Sequence, residues 1–244
     1  MIDSRATSPL STEGLGRSPV VQKAGISRVV LADQVVQVLQ ERILDRVYEP
    51  GARLNIDALS RELQVSSSPI REALMRLAAD GLVAASSFAG FSVAPVPSRD
   101  WFEQLLAYRV LAEGWAARQM ARRRPDAAIE RMRRSLAAME GGRMGRKARD
   151  YLTANQADQA FHEAMLDGAG NEILARSVRD LHPHLHHARL FARVPQDIAP
   201  AIAEHRAILA AIAAGDEEAA AAALERHLRA SWHRYDGWTA DEPA

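Results

Sequence analysis

Residues 54–83 read LNIDALSRELQVSSSPIREALMRLAADGLV, and the order of signals in this stretch decides the fold of the N-terminal part. Asn55 stands where a helix cap belongs, and Leu59 and Leu63 follow on one face, which predicts a short helix over Ile56 to Leu63. Ser66-Ser67-Ser68 supplies a second cap and Pro69 a first-turn proline. Ile70, Ala73, Leu74 and Leu77 then form the buried stripe of another helix, which Gly81 ends. Leu82-Val83-Ala84-Ala85 and Phe91-Ser92-Val93-Ala94 are strand-like runs on either side of Ser86 to Gly90, as in a hairpin. Upstream, Leu31, Val35, Val38, Leu39, Ile43 and Val47 recur at helical spacing until Tyr48-Glu49-Pro50-Gly51 breaks the pattern. A helix, two closely spaced short helices and a hairpin make the layout of a winged helix-turn-helix.

Beyond it, Pro95 and Pro97 form a stiff connector, and everything after Ser98 is helical in pattern. Breaks at Arg124-Pro125, Gly141-Gly142 with Gly145, Gly168 to Asn171, Val194-Pro195 to Pro200 and Gly215-Asp216 leave about six helices, enough for an antiparallel bundle with its own core. The expected fold is therefore mainly α: a winged helix-turn-helix over residues 28–97 and an all-α helical bundle over residues 98–238. Residues 1–27, rich in Ser, Gly, Pro and Thr, read as a flexible tail, and residues 239–244 as a frayed end.

Composition narrows the chemistry. The chain of 244 residues has no cysteine, which excludes disulfides, thiolate metal sites and cysteine nucleophiles, so a metal would have to be held by His, Asp or Glu. No stretch is long and apolar enough for a membrane span, and the first residues lack the apolar core of a signal peptide. A soluble, cytoplasmic protein with no membrane partner is expected. Formal net charge is zero, so any contact with nucleic acid must be local.

In a helix-turn-helix the second helix enters the major groove by its N-terminus. Here that end is Ser66-Ser67-Ser68-Pro69-Ile70-Arg71. Its hydroxyls and free N–H groups suit phosphate oxygens, and Arg71, one turn in, reaches a guanine edge or a phosphate; otherwise the serines are only caps and Arg71 a solvated charge. The stretch from about Leu31 to Pro95 resembles the DNA-binding domain of GntR-type regulators, through Pro50-Gly51, Leu54 and Leu59, Val65-Ser66, Pro69, Arg71-Glu72-Ala73-Leu74 and Gly81-Leu82-Val83. The resemblance implies operator contacts from Ser66, Ser67, Ser68 and Arg71 and from Gly90 in the wing. The match has departures. Many members carry Arg where Ser67 stands and basic residues in the wing, where this chain has Ser86-Ser87-Phe88-Ala89. Leu31 to Pro95 holds six Arg, no Lys and eight acids, a net charge of −2. Few counterions are then released per domain, so a dimer on a palindromic operator is expected. Arg5, Arg17, Lys23 and Arg28 at the tail are candidates for supplementary contacts.

In the C-terminal half, Asp158 and His162 lie at i and i+4 and project from one helix face. His205 lies ten residues before Gly215 and His227 twelve after it; if Gly215-Asp216 turns an antiparallel helix pair, both sit about 15–18 Å from the turn, level with each other. Three imidazoles and one carboxylate could converge on one divalent ion, or each histidine could be an ordinary surface or core residue. The segments Tyr108 to Glu113, Asp158 to His162, Gly170-Asn171, Glu204 to Leu209, Gly215-Asp216 and His227-Leu228 resemble the FCD ligand-binding domain of the FadR branch of GntR regulators, over about Trp101 to Trp238. That resemblance implies Asp158, His162, His205 and His227 as metal ligands. The ion would be zinc, with nickel or manganese as alternatives. It also implies that Arg109 lines the cavity of a small carboxylic-acid effector, the bland alternative being an ion pair with Glu113 at i+4.

His182-Pro183-His184-Leu185-His186-His187 offers four more imidazoles, but no carboxylate lies at ligand spacing within it, so it is expected on the surface or lining a cavity, with one histidine facing the effector. The reading that results is a DNA-binding transcription regulator, by default a repressor and not an enzyme, whose operator affinity a small organic acid modulates at a metal. A metal-dependent hydrolase is the rival from another class. The winged helix and the lack of a recognisable general base beside the four ligands count against it. A purely structural metal is the second rival.

Overall fold

The computed structural model describes residues 28–141, 148–191 and 197–235. The tail over residues 1–27, the end over residues 239–244, and Gly142, Gly145, Val194 and Pro195 lie outside the described residues. The N-terminal unit runs α1 (Arg28–Leu44), β1 (Arg53–Leu54), α2 (Ile56–Leu63), α3 (Ser67–Ala79), β2 (Val83–Ser86) and β3 (Gly90–Val93). The Asn55 side chain accepts from Ala58 N at 2.9 Å and starts α2 as its cap. Ser66 holds the cap position of α3 in extended conformation but makes no side-chain cap bond. The three strands form an antiparallel sheet in the order β1-β3-β2, with Arg53 opposite Ser92 and Val83 opposite Val93. Strand β1 was not anticipated, because two residues are too few to show any periodicity. The stripe read from the sequence is the core: Val35, Leu39, Leu63, Ile70, Leu74, Leu77 and Val93 pack together, each almost fully buried.

The C-terminal unit contains seven helices among the described residues: α4 (Arg99–Arg123), α5 (Asp126–Gly141), α6 (Ala148–Gly168), α7 (Glu172–Arg179), α8 (Pro183–Phe191), α9 (Ala199–Ala214) and α10 (Glu217–His233). One more helix forms than the breaks suggested. His182, in the left-handed region at φ 44°, separates α7 from α8 with no glycine. Helices α9 and α10 make the expected hairpin: Gly215 takes φ 77°, which costs glycine nothing, and Asp216 caps α10 by accepting from Ala219 N. Helix α4 packs on α10, and α5 on α6. The core between them is built on Met120, Met132, Phe161, Met165, Ile208, Ile212 and Leu224. Burial of a side chain such as Phe161 contributes about 1.5–3 kcal/mol.

Helix α8 joins the two units. Leu185 packs against the N-terminal core, Arg189 Nη2 donates to Ala94 O, and His182 Nε2 lies 3.7 Å from Asp80 Oδ1. The left-handed Gly81 lies against the His186 ring, which a β-carbon there would meet at 3.3 Å. On the same helix His184 is buried towards α6.

Candidate metal centre and nucleic-acid face

Helix α6 carries Asp158 and His162, α9 carries His205 and α10 carries His227, and their ligand atoms all lie within 4.8 Å of one another. The three histidines are buried and Asp158 is partly exposed. Each imidazole is oriented from behind. His205 Nδ1 donates to Ala201 O at 2.7 Å, His162 Nδ1 to Glu113 Oε2 at 2.6 Å, and His227 Nδ1 to Glu204 Oε2 at 2.8 Å. A carbonyl or a carboxylate only accepts, so in each neutral ring the proton sits on Nδ1 and Nε2 is a bare lone pair. The bare atoms converge: His162 Nε2 is 3.3 Å from His227 Nε2, and His205 Nε2 is 2.8 Å from Asp158 Oδ1. Asp158 Oδ1 and His205 Nε2 are buried without a hydrogen-bond partner. Acceptors facing acceptors in a buried space are unfavourable unless a cation lies among them. The residues present therefore fit a divalent ion bound by one oxygen and three nitrogens.

The electrostatics follow from burial and pairing. Burial alone would raise the Glu113 carboxyl, but the Arg109 guanidinium and His162 outweigh it and hold Glu113 well below the usual carboxylate range. Burial, with His205 and His162 adding to it, pushes His227 down to about 3 against an upward pull from Glu204, so the ring is neutral near pH 7. Arg109 pairs with Glu113 at 2.5 Å, both fully buried. This is the i,i+4 pair that the spacing offered as the bland alternative, yet Arg109 Nη2 remains buried without a partner.

Two cavities reach the cluster. One, of about 170 Å³, touches His162 and His184 and is also lined by Gln40 and Asp80 of the N-terminal unit. The other, of about 60 Å³, touches Asp158 and His227 and is lined by Asn155, Ser231, Arg234 and Tyr235.

Of the His182–His187 run, His182 and His184 line the cavity of about 170 Å³, within what was expected. No carboxylate lies within the run, but the fold brings one from α6: His184 Nε2 lies 3.4 Å from Asp158 Oδ2. His186 is buried and His187 half-buried. His186 sits edge-on to Trp101, and His187 stacks on Phe102.

On the N-terminal unit, Ser66, Ser67, Ser68, Arg71 and Gly90 are all exposed. Ser67, Arg71 and Gly90 border one open trough of about 540 Å³ between the start of α3 and the wing. Arg42, Arg46 and Arg76 are engaged with Glu62, Glu49, Asp33 and Glu72. Arg71 forms no ion pair with a described residue.

The sequence matches the bacterial regulatory proteins of the gntR family over residues 31–93 and the FCD domain over residues 104–230. The chain belongs to the GntR family of bacterial regulatory proteins. As a GntR-family protein with an FCD domain it is a DNA-binding transcription regulator. It is 31% identical over 195 residues to an HTH-type transcriptional regulator from an unstable DNA locus of Streptomyces ambofaciens, with 79% of each chain covered. It is 29% identical over 205 residues to the probable D-xylose utilization operon transcriptional repressor of Paenarthrobacter nicotinovorans, covering 84% of this chain and 88% of the relative. In fold it resembles a putative GntR transcriptional regulator from Rhodococcus sp. RHA1, with TM-score 0.64 and 24% identity over 84% of this chain and 97% of the other.

Sequence reasoning about this GntR-family regulator missed Glu204 and gave Glu113 only half its role. For Glu204 a signal existed: it lies eleven residues before Gly215, so the hairpin arithmetic that levels His205 with His227 also brings Glu204 beside His227. For the contact between Glu113 and His162, 49 positions apart, the chain offers no periodicity to read. Both carboxylates sit on Nδ1, the edge of the ring away from the bare nitrogens, where they orient the imidazoles.

Proposed function

We propose that this GntR-family regulator is a cytoplasmic, homodimeric repressor that a small organic acid releases from a palindromic operator. Ser66, Ser67, Ser68 and Arg71 contact the major groove, and Gly90 the wing's groove. Asp158, His162, His205 and His227 hold a divalent ion, zinc in preference to nickel or manganese. The observation that carries this reading is the convergence of bare Nε2 atoms on Asp158 Oδ1 in a buried space. With four protein donors, a bound ion would keep one or two open positions at which a carboxylate oxygen is a suitable ligand. The buried, unpartnered Arg109 Nη2 supports an anionic effector beside it. The likeness to a D-xylose operon repressor supports repression. Helix α8 offers the route between the sites. His184 borders the cluster, while Leu185, His186 and Arg189 rest on the DNA-binding unit, so an effector that shifts His184 biases the seating of α3.

Elemental analysis of the untagged protein tests the site: about one zinc or nickel per chain, lost in both His162→Ala and His205→Ala. A metal-free protein after reconstitution would reject it. A screen of carboxylic acids against the protein–DNA complex tests the effector. Release of DNA by an acid with the metal-loaded protein, and no release with His205→Ala, is the expected result. An unchanged melting temperature and unchanged DNA affinity with every acid would leave a structural metal.

A further inference from the structure

We infer that Phe88 is the wing's contact with DNA, an apolar side chain that packs against base or sugar faces in the groove next to the one α3 enters. The inference rests on the reading of α3 as the recognition helix. It concerns the means by which a wing without cations contributes to binding.

The register of the hairpin, Val83 opposite Val93 through Ser86 opposite Gly90, leaves Ser87, Phe88 and Ala89 as its tip. Phe88 there is fully exposed, 101% of its reference area. Its backbone is braced. Arg53 of β1 donates from Nε and Nη2 to Ala89 O at 3.3 and 3.1 Å, and Ala89 N donates to Ser86 Oγ at 3.3 Å. Phe88 also borders the same trough as Ser67 and Arg71, so a duplex seated on the start of α3 runs past the tip.

Charge excludes the usual alternative. Between Leu77 and Ser98 there is no Lys or Arg, and Asp80 is the one charged residue, so the hairpin itself offers a phosphate no cation; the nearest, Arg53 of β1, holds Ala89 O with two of its nitrogens. An aromatic side chain held in water beside a DNA-facing trough gains by burial against sugars or by wedging at a flexible base step, as apolar side chains of minor-groove proteins do. Flexible pyrimidine–purine steps would then be favoured where the tip lies, a preference exerted without hydrogen bonds to bases.

The test uses the full chain and duplexes it enriches from a random 25-base-pair library, with affinity measured by anisotropy over a range of salt. Phe88→Ala is expected to weaken binding about tenfold or more, the scale of losing one stacking contact, with the slope of log K against log salt unchanged. Phe88→Trp retains affinity, and Phe88→Arg steepens the slope by about 0.9. Phe88→Ala within about twofold of wild type overturns the inference, as does a loss of affinity accompanied by a shallower slope, which would signal lost phosphate contacts. Phe88 is fully exposed, so an unchanged melting temperature in each variant is the control for folding. Arg71→Ala separates the two levels: loss of binding there with none in Phe88→Ala sinks the wing alone, while failure to enrich any duplex, or no effect of Arg71→Ala, removes the reading beneath it.

Discussion

His162 and His227 present their Nε2 atoms to each other at 3.3 Å, and in both rings Nδ1 is already bonded to a carboxylate, Glu113 and Glu204 respectively. His227 is neutral near pH 7, and a cation between the two Nε2 atoms would relieve the contact. Ligand removal should therefore register as a loss of stability. Chelation of the metal-loaded protein is expected to lower its melting temperature by several degrees, about 4 kcal/mol of stabilisation being present at a thousandfold excess of metal over Kd. His205→Ala should melt at one temperature with and without chelator. A wild-type melting temperature indifferent to chelator would count against a bound ion.

Glu113 serves two partners, Arg109 and His162, in full burial. In Glu113→Gln the amide can still accept from His162, but Arg109 loses its counter-charge. The expected cost is about 3–5 kcal/mol in chemical denaturation, the scale for breaking a buried pair. Metal affinity, measured by competition with a chromophoric chelator, should fall about 10–100-fold as His162 loses the anionic partner that raises its basicity. Affinity equal to wild type would show that Glu113 only neutralises Arg109.

Acid should destabilise the fold in a particular window. Burial, with the nearby Arg109 guanidinium adding to it, pushes His187 down to about 3, and burial with Arg189 pushes His186 to about 4, against an ordinary value near 6.5. Above 6.5 both folded and unfolded rings are neutral and stability is flat with respect to these groups. As pH falls below 6.5 the unfolded chain takes up protons that the folded one refuses, so stability declines towards about pH 4, by up to about 1.4 kcal/mol per unit for each buried ring. His187→Phe keeps a ring against Phe102 and removes the titrating group. Its melting temperature, followed in chelator from pH 7 to 5, should fall less steeply than that of wild type. Parallel curves would refute the assignment.

The junction between the units is testable at Gly81. Its φ is 75°, and an added β-carbon would meet the His186 ring at 3.3 Å. Gly81→Ala should destabilise by about 1–3 kcal/mol, combining left-handed strain with the contact. Adding His186→Ala should relieve only the second part, leaving a non-additivity of about 0.5 kcal/mol or more in a double-mutant cycle. Strict additivity would show that α8 gives way at no cost, and α8 would then be a poor route from the metal centre to α3.

The sequence by itself determined the N-terminal unit almost entirely. The Asn55 cap, the Ser66–Pro69 start and the Ile70, Leu74, Leu77 stripe are local signals, each read within one or two helical turns. It also determined the level of His205 with His227, because a hairpin hinged on Gly215 is a matter of counting residues at a fixed rise. Strand β1 escaped because two residues carry no period. What only the tertiary structure decided is how α6 lies against α4, α8 and the α9–α10 hairpin. That packing sets Glu113 behind His162, brings Asp158 to both His205 and His184, and turns His184 and His186 inward. These contacts join positions 26 to 85 residues apart, between helices whose rotation about their own axes is set by the packing of side chains such as Phe161, Met165 and Ile208, and no spacing along the chain encodes that rotation.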